Sequence, residues 1–332
     1  MFLSSGMFIV YDCLFYLLFL LGVLLSVSST NWILVWLGME IAFFSLFPLM
    51  LKNNKYVSLN KEAALKYFII QSFSSSLLLI SGFSLSLLMI DNESLLFLLK
   101  VMFIMGLCIK LGIFPAHFWV ISVIGSMNMM GMFLVLTISK IPVLSLLNMF
   151  LTMNCDKNMF FYVNMMYMFL GMTSMIAGFL GSNVSSYWYL IMASSIGHSS
   201  WLLLGCISGE LWPYFVLYSF TLSVLILKTS LQNKKSVSFI ILSLSGLPPF
   251  ILFLGKFLIL KTSFTLGISS FWLIFPILGV LIGLSYYLFY FYYLFMGSTI
   301  LNMNNFEGLE KHFDEFLILL FMLLFLVLMI YI

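Results

Sequence analysis

The stretch 158–209, NMFFYVNMMYMFLGMTSMIAGFLGSNVSSYWYLIMASSIGHSSWLLLGCISG, runs for 52 residues without a charge. About 20 apolar residues carry a helix across the hydrocarbon of a bilayer. The run therefore holds two spans, and its polar cluster Gly181-Ser-Asn-Val-Ser-Ser186 is the natural hinge between them. The rest of the chain reads the same way. Of 332 residues, 63% are hydrophobic, 18% aromatic and only 8% charged; an ordinary soluble domain carries about 25% charged residues. So few charges cannot cover a water-soluble particle of this size, and a net charge of +3 is too weak for a nucleic-acid partner. A soluble globular enzyme, a disordered chain and a nucleic-acid binder are excluded, which leaves an all-α polytopic membrane protein with lipid around it.

Charges and polar clusters divide the chain into about eleven transmembrane helices, at about 7–28, 31–51, 65–89, 95–118, 125–147, 159–180, 187–208, 212–231, 237–262, 268–296 and 315–332. No Lys precedes residue 52, and 13–39 is uncharged, so no removable leader is expected. Loop lysines mark the inner face. Lys52, Lys55 and Lys61, then Lys234 and Lys235, then Lys311 all fall on one side if eleven spans alternate. That side would be the inner one, with the N-terminus on it. All fourteen basic residues are Lys; this usage, with abundant Phe and Met, suits an organelle genome. Four scattered cysteines, Cys13, Cys108, Cys155 and Cys206, have no metal or disulfide spacing. No phosphate-binding loop or iron–sulfur spacing appears, so no cofactor is expected in this chain.

Two spans are interrupted. One holds Lys110-Leu-Gly-Ile-Phe-Pro-Ala-His-Phe-Trp119, the other Ser245-Gly-Leu-Pro-Pro-Phe250. Proline inside a helix removes a backbone bond and clashes with the turn before it; at membrane depth this is tolerated where protein or a wet cavity satisfies the freed groups. The breaks lie five spans apart, which points to a repeat-built transporter. The expected organisation is two inverted five-helix repeats, 1–150 and 151–298, followed by an inner loop and a last transmembrane helix at 299–332. Chance placement of two kinks is the competing reading.

An ionisable residue at membrane depth costs about 2.5–3.5 kcal/mol on insertion scales and is a functional candidate by default. Glu40, Lys110, Lys140 and Lys256 qualify, and His117 and His198 add titratable groups. Lys110 and His117 are seven residues apart, which would put them on one helix face. The competing readings are a snorkelling role for Lys256, a structural ion pair for Glu40 or Lys140, and core hydrogen bonding for each histidine.

At these residues the chain resembles the subunit 2 family of mitochondrial NADH:ubiquinone oxidoreductase, the antiporter-like membrane subunits of respiratory complex I. The matching pieces are Trp36-Leu-Gly-Met-Glu-Ile-Ala42 with Pro48, Glu62-Ala-Ala-Leu-Lys-Tyr-Phe68 with Gln71, Lys110-Leu-Gly112 with Pro115-Ala-His-Phe-Trp119, Lys140-Ile-Pro142, Met192-Ala-Ser-Ser-Ile-Gly-His198 with Trp201, and Gly246-Leu-Pro-Pro-Phe250 with Lys256. The resemblance implies a proton path. Glu40 matches the acidic partner of an ion pair, Lys110 its Lys on the broken helix, Lys140 the central Lys, and Lys256 the Lys on the second broken helix; His198 matches a histidine bridging the axis. It also implies the mitochondrial inner membrane with the N-terminus in the matrix. Other complex I membrane subunits, including neighbouring antiporter-like ones, would be partners. NADH, FMN, iron–sulfur clusters and ubiquinone would belong to partner subunits of an NADH:ubiquinone reductase. The chain departs from the family at Val120-Ile-Ser122, where a Pro-Glu pair is usual, and at Trp188-Tyr189, where Arg-Lys is usual. A stand-alone cation/proton antiporter and a non-pumping scaffold are the alternative functions.

Overall fold

A computed structural model describes residues 2–51, 57–86, 92–125, 127, 129–153, 159–183, 186–230, 234–248 and 250–301. These are helices joined by short turns. The chain divides into two compact units, Met1–Met165 and Met166–Ile332. The first contains α1 (Phe2–Ser28), α2 (Trp32–Leu51), α3 (Val57–Ser86), α4 (Glu93–Leu111), α5 (Phe118–Ile124), α6 (Met129–Phe133) and α7 (Lys140–Met153), the last two joined by a π-helical turn at Leu134–Ile138. α8 (Met159–Ser182) carries the boundary. The second unit continues with α9 (Tyr187–Ser208), α10 (Leu211–Ser230), α11 (Lys234–Ser245), α12 (Ile251–Thr265) and α13 (Ser270–Leu301).

Among the described residues, nine helices are long and apolar enough to cross a membrane. The protein is a multi-pass, all-helical membrane protein. The sequence reading of eleven differs at two spans. The interrupted span at 237–262 divides into α11 and α12, each too short to cross alone. The span at 315–332 lies outside the described residues. The interrupted span at 95–118 divides into α4 and α5, and continues to Ile124.

Helices are the form that satisfies every backbone group without water. Side chains follow the same rule. Buried serines return their hydroxyls to carbonyls one turn back, as Ser74 does to Gln71 O, Ser174 to Gly171 O and Ser194 to Ile191 O, at 2.7, 2.8 and 2.8 Å. A hydroxyl so paired can sit in an apolar core. Large apolar residues face outward instead, among them Ile69, Phe118, Phe160 and Tyr293, a surface that suits lipid.

Apolar lipid gives helices no hydrophobic reason to associate, so small residues and close packing do the work. α1 and α2 cross on Gly22 and Gly38. A Cβ on Gly38 would stand 2.6 Å from Ser26 N, and one on Gly22 the same distance from Ala42 N. In the second unit α8 receives α13 in the same manner: Gly171 meets Phe275, Gly178 meets Ile282 and Gly181 meets Tyr286.

Gly38→Ala forces the α1–α2 backbones apart. The expected destabilisation is about 1–3 kcal/mol, measured as a lower midpoint in thermal unfolding of the detergent-solubilised protein.

Candidate functional site

The first unit gathers charge around the end of α4. Gly112, at φ 71°, ends the helix, and its N–H bonds back to Ile109 O. That left-handed conformation is one that glycine adopts without penalty. The chain then passes Pro115 before α5 begins. Trp119 closes the gap by donating its Nε1 hydrogen to Ile109 O at 3.0 Å. Lys110 is thereby held one residue before the end of α4, in the wall of a cavity with room for water centres of about 30 Å³. Tyr67 and Gln71 from α3, Met39 from α2, and Ser139, Pro142 and Val143 beside Lys140 complete much of the wall. A water needs roughly 10–15 Å³ on this measure and two to four polar partners. Lys110, Gln71 and Ser139 supply the partners.

Glu40 is buried on α2, next in sequence to the lining residue Met39. Its Oε1 accepts no hydrogen bond among the described residues, and the carboxylate acts electrostatically on Lys110 without closing a direct ion pair. Lys140 opens α7 and is 5% exposed. The π-helical turn just before it ends with Ser139 N bonded to Leu134 O at 2.9 Å. Pro142 has no N–H to give to the carbonyl four residues back, and the wider turn ends where that bond is missing.

His117 is placed differently from the sequence expectation. Residues 112–117 are not helical, so seven-residue spacing does not put it on the Lys110 face. It caps α5, packs against the Phe118 ring at 3.9 Å and is absent from the cavity wall.

The second unit has a corresponding arrangement at its own break. α11 stops at Ser245, Gly246 takes φ +75°, and α12 starts at Ile251. Lys256, 7% exposed, reaches back from α12 and donates to Ser245 O at 2.8 Å. Its Nζ also stands 5.6 Å from the centre of the Trp201 ring, a cation–π distance. The interruption thus frees a carbonyl and the lysine takes it. Gly246 is required twice over: by its φ, and because a Cβ there would lie 2.7 Å from Lys256 Nζ. His198, buried on α9, shares a 2.7 Å hydrogen bond between Nδ1 and the Tyr214 hydroxyl of α10. Tyr218 lays its ring 4.7 Å from the imidazole. Lys256, His198, Ser194, Trp201, Tyr286 and Tyr287 all border a second cavity, again with room for water centres of about 30 Å³.

Sequence reasoning found the charged members of both sites. It missed Tyr214, Tyr286 and Tyr287, whose only signal was a polar group inside an apolar run; Ser194 lay within the quoted stretch Met192–His198 with no role given to it. Among the described residues, no three His, Cys, Asp or Glu side chains gather to hold a metal ion.

The fold is a bundle of membrane-length helices in which half-buried Lys110 and buried Lys256 each stand beside a helix break. Comparison with known proteins places it further. Residues 29–237 match the family model described as NADH:quinone oxidoreductase/Mrp antiporter, TM. The NADH-ubiquinone oxidoreductase chain 2 of Albinaria caerulea is 36% identical, over 91% of this chain and 92% of that one. A chain of respiratory complex I from Thermus thermophilus shares the fold with a TM-score of 0.73 at 20% identity, covering 84% of this chain and 69% of that one. A chain of the Mrp complex from a Dietzia species does so with a TM-score of 0.74 at 13% identity, covering 84% and 59%. The chain belongs to this family of antiporter-like membrane subunits, in the branch of NADH-ubiquinone oxidoreductase chain 2.

Gly246→Ala is expected to destabilise the protein by about 1–2 kcal/mol through the left-handed conformation alone, with a further loss as Lys256 is pushed from Ser245. Thermal unfolding of the variant against Gly131→Ala, where a Cβ meets nothing within 4 Å, measures it.

Proposed function

We propose that this chain is a proton-translocating core subunit of the membrane arm of NADH:ubiquinone oxidoreductase in the mitochondrial inner membrane. The reading carries eleven spans, the N-terminus in the matrix, and two inverted five-helix repeats at 1–150 and 151–298. One observation supports it above the others: in each unit a lysine, half-buried Lys110 and buried Lys256, borders a helix break and a water-sized cavity. A lysine kept from lipid, with polar atoms and water beside it, can take up and release protons.

The mechanism follows from charge. Glu40 stabilises the proton on Lys110 while its carboxylate faces that lysine. When the carboxylate turns toward a charge on a neighbouring subunit, Lys110 gives its proton to water and onward to Lys140. His198 and Lys256 perform the later steps in the second unit, toward the outer exit. His117, capping α5 across the break from Lys110, is assigned to the edge of the path. Moving one charge against 100 mV takes about 2.3 kcal/mol, and the energy comes from redox chemistry in partner subunits that hold NADH, FMN, iron–sulfur clusters and ubiquinone. The chain itself contributes buried proton carriers, and its neighbours are other membrane subunits, antiporter-like ones included.

Lys140→Met removes the central proton carrier and keeps the volume. In the assembled complex, proton uptake coupled to NADH oxidation should fall by about tenfold or more, measured in sealed vesicles. Full proton stoichiometry would remove Lys140 from the path and favour the non-pumping scaffold. Glu40→Gln should lower coupled turnover while the complex still assembles, read as NADH:quinone activity per assembled complex; unchanged turnover would remove Glu40. Exchange of cations for protons by the isolated chain in liposomes would favour the stand-alone antiporter.

A further inference from the structure

We propose that Trp201 is a positioning residue for Lys256: its ring face, together with the carbonyl of Ser245, serves the lysine's ammonium in place of a carboxylate and holds that charge at the cavity that His198 also borders. The proposal rests on the proton-path reading above and adds the group that keeps its second lysine in place.

The second unit is short of negative charge. From 166 to 301 the sequence holds one acidic residue, Glu210. It stands in the turn between α9 and α10 and has no place in the cavity wall. Among the described residues no carboxylate pairs with Lys256. Yet Lys256 is 7% exposed, and an ammonium taken out of water with nothing opposite it is costly. Another kind of group must meet the charge.

Two groups do. The Ser245 carbonyl, freed by the break, accepts one N–H at 2.8 Å. An ammonium has three N–H donors, so this bond alone leaves much of the charge unmet. The Trp201 ring lies under it, with Nζ 5.6 Å from the ring centre. An aromatic face carries negative charge density, and indole is the strongest of the side-chain rings in this contact. The attraction grows as water is excluded, and Trp201 is 3% exposed.

The lysine is fixed from both sides. A Cβ on Gly246 would lie 2.7 Å from Nζ and 3.0 Å from both Cδ and Cε, so the stem lies against the bare backbone of the break. On α9, Trp201 follows His198 by three residues, which puts both on one helix face, and both border the cavity with Lys256. The face that presents the imidazole thus also anchors the ammonium. A ring suits a proton carrier in this place. It attracts the cation without taking up an N–H in a hydrogen bond to oxygen, and leaves the remaining N–H groups for cavity water.

Trp201→Phe and Trp201→Leu remove similar volumes, but only the phenylalanine keeps a ring face. The test compares them with Lys256→Met in the assembled oxidoreductase in sealed vesicles. Proton uptake coupled to NADH oxidation is measured, with assembled amount and melting midpoint as readouts of packing. Trp201→Leu is expected to lose about threefold or more of its uptake and Trp201→Phe to keep most of it, while the two packing readouts fall alike in both. Equal loss in the two variants makes Trp201 a packing residue and overturns the proposal, as does full uptake in Trp201→Leu; with Lys256→Met impaired, either result leaves the path reading standing. Full uptake in Lys256→Met overturns the path reading and the role of Trp201 in it. Should Trp201→Leu fail to assemble, the double variant with Lys256→Met decides. Removing the charge that the ring serves is expected to restore assembly, and a double variant that still fails to assemble overturns the proposal.

Discussion

The absence of water in the bilayer governs this molecule. A backbone group with no partner there costs several kcal/mol, so the chain folds almost wholly into helices and breaks them at few places. Each break must be compensated. At the first, Trp119 spans the gap to Ile109 O. At the second, Lys256 takes Ser245 O. Both repairing side chains are buried, and at the second break the repairing group is itself protonatable and borders a water-sized space. Structure and chemistry meet at these points because a polar group in an oily solvent must have a partner, and a break supplies partners that an intact helix has already used.

The two sites differ in how they hold their lysine. Lys110 sits on the helix that ends, among Gln71 and Ser139, within electrostatic reach of the Glu40 carboxylate. Lys256 sits on the helix that begins after the gap and is tied to a freed carbonyl and an aromatic face. The first lysine has a carboxylate near it that accepts no hydrogen bond at Oε1 among the described residues. The second is held by fixed dipoles.

Much of this was legible before the fold was seen. Uncharged runs fixed the membrane class, because insertion free energy depends on composition. Pro with Gly at 112–115 and at 246–248 located both breaks, because a glycine free to turn left-handed next to a ring without an N–H ends a helix, whereas Pro48 and Pro276, without such a glycine beside them, stay inside α2 and α13. Buried charges named themselves by rarity. What failed was inference through a break: Lys110 and His117 are spaced for one face of a helix that does not exist between them. Tyr214 and Tyr287 could not be read either. A tyrosine in an apolar span is equally at home packing in a core, facing lipid or relaying a proton, and only its partners decide which.

The sequence by itself therefore determined the class of the protein, the places where its helices stop, and which charges must be kept from lipid, since all three follow from local composition and covalent chemistry. The tertiary structure alone decided which polar atoms share a cavity. Gly246 beside Lys256 Nζ, Tyr214 against His198 Nδ1 and Gly181 under Tyr286 join residues from different helices, and the distance between two helices is set by how their side chains pack, which no single segment contains.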